Sequence, residues 1–497
     1  MLPATVPSGD TADGPQTVWV PKVYLAQTTL RLTGDGAVIG GGDLQLSANS
    51  VTNAGNLFAD KALSVDAGQF LHQGGDIKAG SIDVQADSLT LSSNLQDALR
   101  QATMSADDIR LSGTDITLTG AKLDATNALS LSARNDLTVT TAKSSHTADL
   151  EVISGSLGNR TRDGMEAAGE RMAHVSGEWQ QALGSELNAG GNLTLNAGRD
   201  VTLTGSQAKA GGQLGVQAGN NINIRAETTT NTSHLDANSR TSSVSNDRQE
   251  ERLTLSTLGG DQGVTLVAGN HLLAEGAQVD SKEGRIGISA QDVTIKDART
   301  HTLGQDSENK RDGKTRSHRE EETERETSTG STFSGQQGVT VIGREGDVTV
   351  TGSTLHSDQG GIALQAKNDV TLNTATERES TFSEERSQKK GFLNKSSNHT
   401  VTDDRLTREK GTLLSGNSVS VNAGNDLTVT GSAIAADRDV TLQAGRNVDI
   451  GAATETESHY LLEEKKKSGL LGSGGIGFTI GKQSSKHEID EKATTQS

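Results

Sequence analysis

The dominant pattern in the chain is a pair of short segments in which apolar and polar residues alternate, joined by a turn that contains glycine. The clearest copy is NLTLNAGRDVTLTG, from Asn192 to Gly205. Alternation places every second side chain on one face of a β-strand. In this copy, the residues that share that face are Leu193, Leu195, Val201 and Leu203. Each copy therefore predicts two strands with a common apolar face.

The unit recurs three more times, at intervals of 71, 75 and 80 residues. A second couplet follows each copy, 21 to 23 residues later. The offsets relate Leu193 to Leu214, Val264 to Ile286, Val339 to Ile362 and Val419 to Val440. Two isolated strands cannot bury their apolar face, but the next coil stacked on top buries it and pairs the backbone. The pattern predicts an all-β fold, a right-handed parallel β-helix with two strands in each coil.

A shorter repeat precedes these units. Leu44, Leu63 and Ile82 are separated by 19 residues each, and Ile116, Leu129 and Leu137 continue the pattern less regularly. The sequence predicts coils of slightly smaller perimeter here. Before them, the segment Val18–Gln27 is expected to form a lead-in strand.

Four polar excursions interrupt the long repeats. They are rich in Thr, Ser, Glu and Arg, and basic residues with glycine lie near their centres. They run over Arg225–Arg252, Lys296–Ser334, Asn373–Ser415 and Gly451–Ser468. Alternating Thr and Glu favour β-structure, so we predict two-stranded ribbons that project from the solenoid; disordered loops are the alternative.

Two inserts show helical spacing. Leu95–Met104 is short, whereas the stretch from Met165 to Leu187 is longer. Its apolar residues fall on one helical face: Met165, Met172, Val175, Trp179 and Leu183. This pattern predicts a short helical insert packed on the solenoid or capping it; a helix that binds a partner is the alternative.

These patterns divide the chain into five parts. We expect an extended lead-in at 1–29, short repeats at 30–158, the helical insert at 159–187, four long repeats at 188–481 and a polar tail at 482–497. Near the end, Gly469–Gly481 is apolar and glycine-rich. It is either the returning arm of the last excursion, a strand whose partner lies elsewhere, or a membrane-inserting strand.

Composition supports a solenoid and excludes some functions. The 497 residues include 58 glycines but few aromatic residues, which suits a thin aliphatic core. The net charge of −18 argues against nucleic-acid binding, which needs a cationic face. There is no cysteine, no apolar run long enough for a membrane helix and no visible signal peptide.

No catalytic, metal or cofactor site is predicted. His174, His271, His318 and His459 lack the paired spacing of a zinc site. The acidic run Glu320–Glu322 lies among arginines and is expected to be a solvated ribbon. Four glycines in the turns, Gly198, Gly219, Gly424 and Gly445, are predicted to adopt positive φ at coil corners. We therefore predict that the chain is not an enzyme.

The repeats resemble those of a known family. Units with NAGNLFAD and HQGGDIKA resemble the short repeats of filamentous haemagglutinins. Units such as NLTLNAGRDVTLTGS, and the segment KKKSGLLGSGGIGFTIG, resemble the haemagglutinin repeat of two-partner secreted exoproteins, which include contact-dependent growth inhibition effectors. The resemblance covers roughly Leu30 to Gly481.

The resemblance implies a non-catalytic shaft, secreted to the surface of a Gram-negative bacterium and associated with its outer membrane. Export through an outer-membrane secretion pore is implied, as is a role in toxin delivery across the outer membrane of a target cell. The target-cell membrane or a surface receptor would then be a partner. The alternative is an adhesin shaft that binds host or bacterial glycans or proteins.

Overall fold

The computed structural model describes residues 2–6, 16–20, 37–95, 100–154, 171–239, 241–473 and 477–496. All regular structure in these residues is β-strand. A parallel sheet of 33 strands winds into a β-helix, and a separate antiparallel sheet of 10 strands projects from it. The described part of the chain is thus all-β, as predicted. At the start of the chain, Leu2–Val6 and Gln16–Val20 form an antiparallel pair.

Each regular coil contains three short strands rather than the predicted two. One complete coil consists of Glu186–Ala189, Leu193–Ala197 and Val201–Thr204. The second and third strands are the predicted couplet. The first strand was missed because it places at most one large apolar side chain in the core, such as Leu187. In the next coil it is Gln207–Ala210, whose buried residues are both alanines.

Equivalent strands stack in register and form three ladders, A, B and C, in the order in which each coil visits them. Ladder A contains Gly75–Lys78, Ala102–Ala106, Lys122–Ala125, Glu186–Ala189, Gln207–Ala210, Ser256–Gly260, Ala277–Ser281, Thr332–Gly335, Thr354–His356, Leu413–Gly416 and Ala433–Ala436. Ladder B contains Leu129–Ala133, Leu193–Ala197, Gln213–Ala218, Gly263–Ala268, Ile286–Ala290, Gly338–Gly343, Gly361–Ala366, Val419–Ala423 and Val440–Ala444. Ladder C contains Leu137–Thr140, Val201–Thr204, Ile222–Arg225, His271–Glu275, Asp292–Lys296, Val348–Thr351, Val370–Asn373, Leu427–Thr430 and Val448–Gly451.

Four longer strands begin the solenoid and bend from one ladder into the next. They are Val38–Asn53, Asn56–Gln73, Ser81–Ser92 and Asp108–Thr119. The 19-residue offset is their stacking register, since Leu44 pairs with Leu63 and Leu63 pairs with Ile82. With these strands included, the described chain stacks thirteen coils along ladder B.

The offsets of the long repeats are also stacking registers. The paired residues are Leu193 with Leu214, Val264 with Ile286, Val339 with Ile362 and Val419 with Val440. Where the offset grows to 22 or 23 residues, the extra residues lie between strands and the ladder register is kept. The predicted coil pattern is confirmed at each of these positions.

The core is one continuous column of aliphatic side chains inside the three ladders. Val, Ile, Leu and Ala supply nearly all of it, with Phe70, Phe333 and Met104 as large exceptions. Met104 lies in strand Ala102–Ala106 of ladder A, so the helix predicted for Leu95–Met104 is wrong at that end. Residues 96–99 of that segment lie outside the described residues.

Five hairpins leave the coil and form the second sheet. In chain order they are Ala142–Ser154 with Arg171–Leu183, Glu227–Asn238 with Ser242–Thr254, Ala298–Asp312 with Thr315–Thr329, Ala375–Lys390 with Asn394–Lys410, and Thr454–Ser473 with Gly477–Gln496. The last four are the ribbons predicted from the polar excursions. The polar tail expected from residue 482 is instead part of the returning strand of the fifth hairpin.

The first hairpin corrects the prediction of a helical insert at 159–187. Arg171–Leu183 is a strand that pairs with Ala142–Ser154, while Met165 lies outside the described residues. The error has a physical reason, because Val175, Trp179 and Leu183 are spaced by four residues. That spacing is even, so it places side chains on one face of a strand as well as on one face of a helix.

Candidate partner-binding surface

The surface with the most distinctive construction is the projecting sheet, which we call the hairpin sheet. Every hairpin leaves at the corner between ladder C and ladder A, and it does so in every second coil. In the intervening coils the same corner is closed by a glycine with φ between 50° and 61°: Gly120, Gly205, Gly276, Gly352 or Gly431. A side chain there would collide with the start of the neighbouring hairpin; a Cβ at Gly352 would lie 2.4 Å from that of Ala375.

A buried hydroxyl group closes the base of each of the first four hairpins. Ser256 Oγ, for example, donates a hydrogen bond of 2.6 Å to the carbonyl oxygen of Arg225. Arg225 is the last ladder C residue before the second hairpin, and Ser256 follows it on return. The equivalent donors to the strand before the hairpin are Ser185 to Thr140, Ser331 to Lys296 and Thr412 to Asn373.

The three serine hydroxyl groups also accept hydrogen bonds from backbone N–H groups of the neighbouring coil. Ser256 Oγ accepts from Ser206 N at 3.3 Å, and Ser331 Oγ accepts from Ala277 N at 3.0 Å. Ser256 and Ser331 are fully buried. Since a buried polar group without a partner is costly, the hydroxyl positions the two hairpin strands at a fixed separation where they leave the coil.

Neighbouring hairpins pair with one another because their spacing matches that of the coils. Strands lie ~4.8 Å apart in the hydrogen-bonding direction, so two coils rise by ~9.6 Å. A hairpin of two strands has the same width. The five hairpins therefore fill the available spacing and form one continuous antiparallel sheet of 10 strands, in chain order.

Near the coil, the backbones of adjacent hairpins are not paired, and side chains bridge the gap instead. Glu251 of the second hairpin accepts a hydrogen bond of 2.8 Å from His301 N of the third. Glu377 accepts from Ser328 N at 3.1 Å, and Glu455 accepts from Glu409 N at 3.1 Å. The role of these glutamates could not be predicted from the sequence, because their partners come from another repeat.

The middle of the hairpin sheet is a mixed-charge surface. Glu326 of the third hairpin forms an ion pair with Arg299 of the same hairpin and lies 4.0 Å from Arg378 of the fourth. The acidic run Glu320–Glu322 lies in this band; Glu321 pairs with Arg319 at 2.6 Å. Its residues alternate between the two faces of the sheet, as a solvated strand requires.

Several histidines lie in the same sheet beside carboxylates. His174 is 2.7 Å from Asp149, and His459 of the fifth hairpin bonds to Asp404 of the fourth. The hydrogen bond that His459 donates to Asp404 raises the pKa of His459 above its ordinary value. In the same way, the carboxylates of Asp247 and Asp236 raise the pKa of His234.

Two of the remaining histidines illustrate different environments. His318, in the third hairpin, bonds to Asn309 at 2.8 Å. His271 lies in ladder C on the coil, and its backbone N–H donates a hydrogen bond of 3.2 Å to Asn221 Oδ1. No group of three or more His, Asp or Glu side chains within the described ranges is arranged to hold a metal ion.

The glycines in the coil turns have a different role from the one predicted. Gly198, Gly219, Gly424 and Gly445 are not among the glycines with positive φ. They are stacked so closely that a Cβ on Gly424 would lie 1.8 Å from the carbonyl oxygen of Lys367 in the preceding coil. The predicted reason is therefore wrong, and close approach of the backbones is what requires glycine.

The far ends of the hairpins, which we call the tips, differ in chemistry from the middle of the sheet. Phe392 and Leu393 form the turn of the fourth hairpin, and their exposed fractions are 92% and 58%. Ile480, near the tip of the fifth hairpin, is 83% exposed. Lys389, Lys390 and Lys395 surround the fourth turn and are exposed. Among the described residues, no helix is long and apolar enough to span a bilayer.

Comparison with known proteins gives matches along nearly the whole chain. Two models, each described as a haemagglutinin repeat, match it: one over 91–233, 313–392 and 390–496, the other over 11–56, 39–113 and 187–317. No solved structure matches the chain.

Among the relatives is the 16S rRNA endonuclease CdiA of Enterobacter cloacae, which is 36% identical over 97% of this chain. The tRNA nuclease CdiA of Escherichia coli strain STEC_O31 is 30% identical over 97% of the chain. The chain spans only 13% of the length of each of these two proteins. The tRNA nuclease CdiA of Escherichia coli O6:K15:H31 is 52% identical over a shorter stretch, 25% of this chain and 4% of that protein. With its stacked coils and these matches, the chain belongs to the haemagglutinin-repeat family and is a CdiA-like segment of it.

Proposed function

We propose that this chain is a non-catalytic shaft segment of a secreted contact-dependent inhibition exoprotein, and that its hairpin sheet contributes to toxin delivery across the outer membrane of a target cell. The observation that carries the proposal is the hairpin sheet itself. It runs beside nine consecutive coils without a break and is held by bonds within and between repeats. A passive spacer would need the coils alone.

The chain is a secreted, cell-surface segment associated with the Gram-negative outer membrane. We infer that it leaves the cell through a dedicated outer-membrane pore. A solenoid suits such export, because each coil needs only the preceding coil as its template and can fold as it emerges. The nuclease activities in the names of the relatives are proposed to reside outside the small part of those proteins that this chain matches.

Replacement of hairpins by a coil corner tests this role in the intact exoprotein. Coils without a hairpin turn the corner with Thr204, Gly205 and Ser206. When a hairpin and its flanking residues are replaced with one glycine, the coil that carried the hairpin acquires the same three-residue corner. The four segments to replace are Thr141–Gly184, Ala226–Leu255, Asp297–Gly330 and Thr374–Gly411.

We expect this variant to be secreted and to attach to target cells normally, but to lose at least tenfold in the killing of target cells. The measurements are surface display, target-cell attachment and competition between producer and target strains. Loss of attachment together with killing would favour the adhesin role instead. Unchanged killing by a displayed variant would reject the contribution of the hairpin sheet to delivery.

A further inference from the structure

The tips of the second, third and fourth hairpins, together with the flank of the fifth, form a continuous edge along the side of the sheet away from the coil. Arg311 N donates to the carbonyl oxygen of Thr241 at the tip of the second hairpin, at 2.7 Å. Lys390 N donates to Lys314 O at the tip of the third, at 3.0 Å. Asn394, beside the tip of the fourth, pairs with Gly469 of the fifth. The second, third and fourth tips are thus each in contact with the next hairpin, and from the second hairpin to the fifth the strands reach progressively farther from the coil.

Positive charge is concentrated on this edge, although the chain as a whole carries −18. The segments Lys310–Arg316, Lys389–Lys395 and Lys465–Lys486, which contain the third, fourth and fifth turns, hold a single carboxylate, that of Asp312. The exposed basic residues there are Lys310, Arg311, Lys314, Arg316, Lys389, Lys390, Lys395, Lys465, Lys466, Lys467, Lys482 and Lys486. The acidic residues of the same hairpins lie nearer to the coil.

Part of this charge is not neutralised within the protein. Lys310, Lys465, Lys466 and Lys486 each contact a glutamate two residues away on the same strand. Around the fourth turn, by contrast, Lys389, Lys390 and Lys395 have no carboxylate partner among the described residues. Free cationic groups on an otherwise acidic molecule create a local field that attracts anions to this edge.

Exposed apolar side chains lie at the centre of the cationic edge. Phe392 is the most exposed large apolar residue described, and Leu393 is next to it. Cationic side chains that surround Phe and Leu are the combination found on protein segments that lie in the headgroup region of anionic membranes.

We propose that the tip edge of the hairpin sheet binds the phosphate-bearing surface of an anionic lipid bilayer, with the tip lysines on the phosphates and Phe392 and Leu393 inserted among the acyl chains. The inference deepens the proposed delivery function by naming the chemistry of the partner. The acidic remainder of the chain is repelled by the same surface, so the sheet approaches the membrane with its edge first.

Flotation of the purified 497-residue chain with lipid vesicles tests the inference. The vesicles contain either phosphatidylcholine alone or phosphatidylcholine with about 30% phosphatidylglycerol. We expect at least tenfold stronger partitioning onto the anionic vesicles at moderate salt, since each surface cation contributes to the attraction. Equal partitioning onto both vesicles would overturn the inference.

Two variants of the fourth tip separate charge from insertion. Lys389→Ser with Lys390→Ser and Lys395→Ser is expected to reduce binding to anionic vesicles at least tenfold. The variant with Phe392→Ser and Leu393→Ser is expected to bind anionic vesicles at low salt, because its lysines are intact. In 0.5 M salt, where the unaltered chain stays partly bound, this variant is expected to dissociate. A control variant removes the same charge from the coil surface, through Lys78→Ser, Lys209→Ser and Arg438→Ser.

The control is expected to bind as the unaltered chain does. Equal loss in the control and in the tip lysine variant would overturn the inference, since net charge alone would then explain binding. Displacement from vesicles by millimolar inorganic pyrophosphate would overturn it too, by assigning the site to a soluble phosphate. These outcomes do not depend on the killing of target cells. If the unaltered chain binds anionic vesicles as expected but the hairpin-replacement exoprotein still kills target cells, the delivery role is rejected and the lipid inference stands.

Discussion

Two classes of glycine hold the coils in place at the residue scale, and each has its own steric reason. Gly205 and its equivalents adopt positive φ where a neighbouring hairpin starts. Gly424 and its equivalents lie against the preceding coil with no space for a Cβ. The second class is set by contacts between coils, so substitution there forces two coils apart.

We expect Gly424→Ala to lower the free energy of unfolding by about 1–3 kcal/mol, as overpacking does elsewhere. Gly215→Ala is the matched control, because nothing lies within 4 Å of a Cβ at that strand position; its effect should stay within about 0.5 kcal/mol. Urea denaturation of both variants measures the difference. Equal midpoints for the two would contradict the steric role of Gly424.

His72 is predicted to make the first coils sensitive to acid. It is fully buried, and its Nε2 lies 3.0 Å from the carbonyl oxygen of Gly75 while Asn53 lies 3.1 Å from Nδ1. Burial lowers its pKa below the ordinary value. The unfolded chain then binds a proton at this histidine more readily than the folded chain does. The stability of the first coils is therefore fully present above a pH of about 6.5 and decreases as the pH falls below that value.

Hydrogen exchange of strand Asn56–Gln73 at pH 7 and pH 5 checks this expectation. Protection factors should fall at pH 5 in the unaltered chain, and the fall should be smaller in His72→Gln. An NMR titration of His72 with a midpoint at or above 6.5 would disprove the argument.

His459 is predicted to act in the opposite direction. Its pKa is raised by the hydrogen bond to Asp404, which joins the fourth and fifth hairpins. The stability that His459 contributes is therefore fully present below about pH 6.5, the pKa of a histidine in the unfolded chain. It is lost as the pH rises through the higher pKa of His459 in the folded chain. Protection factors for Thr454–Ser473 should be lower at pH 9 than at pH 6, and His459→Gln should abolish the difference; a difference that persists in this variant would have another source.

The sequence was informative about residues whose role repeats along the chain and much less so about single contacts. The inward positions such as Leu193 and Val264 follow from alternation, because burial acts on every second residue of a strand. The clash at Gly424 and the bond at Ser256 could not be predicted, since each depends on a backbone atom far away in sequence. The same holds for the bridging glutamates between hairpins.

At the scale of elements, a hairpin can be removed without changing the coil that carries it. The corner between ladders C and A is closed in one of two ways, either by a glycine with positive φ or by a hairpin whose base is held by a buried hydroxyl group. Replacement of Ala226–Leu255 by one glycine should leave the coils folded. The first hairpin would lose its neighbour and become an isolated two-stranded ribbon, which is marginally stable in water.

Hydrogen exchange on that variant should show unchanged protection in Leu193–Ala197 and reduced protection in Arg171–Leu183 and Ala298–Asp312. A matched replacement of Thr374–Gly411 should move the loss of protection to the third and fifth hairpins. Collapse of protection in the coil strands would show that the hairpins are needed for the solenoid to fold.

The predicted elements were right where their pattern is long and repeated. The alternation of Thr and Glu predicted the ribbons, but it did not predict that they assemble into one sheet. That assembly depends on the rise of two coils being equal to the width of one hairpin, and no sequence pattern indicates this equality. The ladder A strand of each coil escaped detection because it places at most one large apolar side chain in the core, too few to show alternation.

For the whole molecule, the thirteen stacked coils set the expected dimensions. At ~4.8 Å per coil the solenoid is about 60 Å long. Small-angle scattering of the isolated chain should give a rod-like core of that length with a lateral extension from the hairpin sheet. A compact globular profile would be incompatible with the stacking, and the single-hairpin replacement serves as a control that reduces the lateral extension alone.

The equal width of one hairpin and two coils restricts how a gene of this kind can lengthen. Duplication of two coils with their hairpin adds a module that keeps both sheets in phase. Duplication of a single coil would separate adjacent hairpins by an additional ~4.8 Å and interrupt the outer sheet. From Val38 to Thr140 no strand of the outer sheet leaves the described coils, and the excursion there is a short one whose ends, Asn94 and Arg100, pair with each other. In that region recombination can add one coil at a time without interrupting the outer sheet. In the rest of the described coils, the unit of inheritance is the pair.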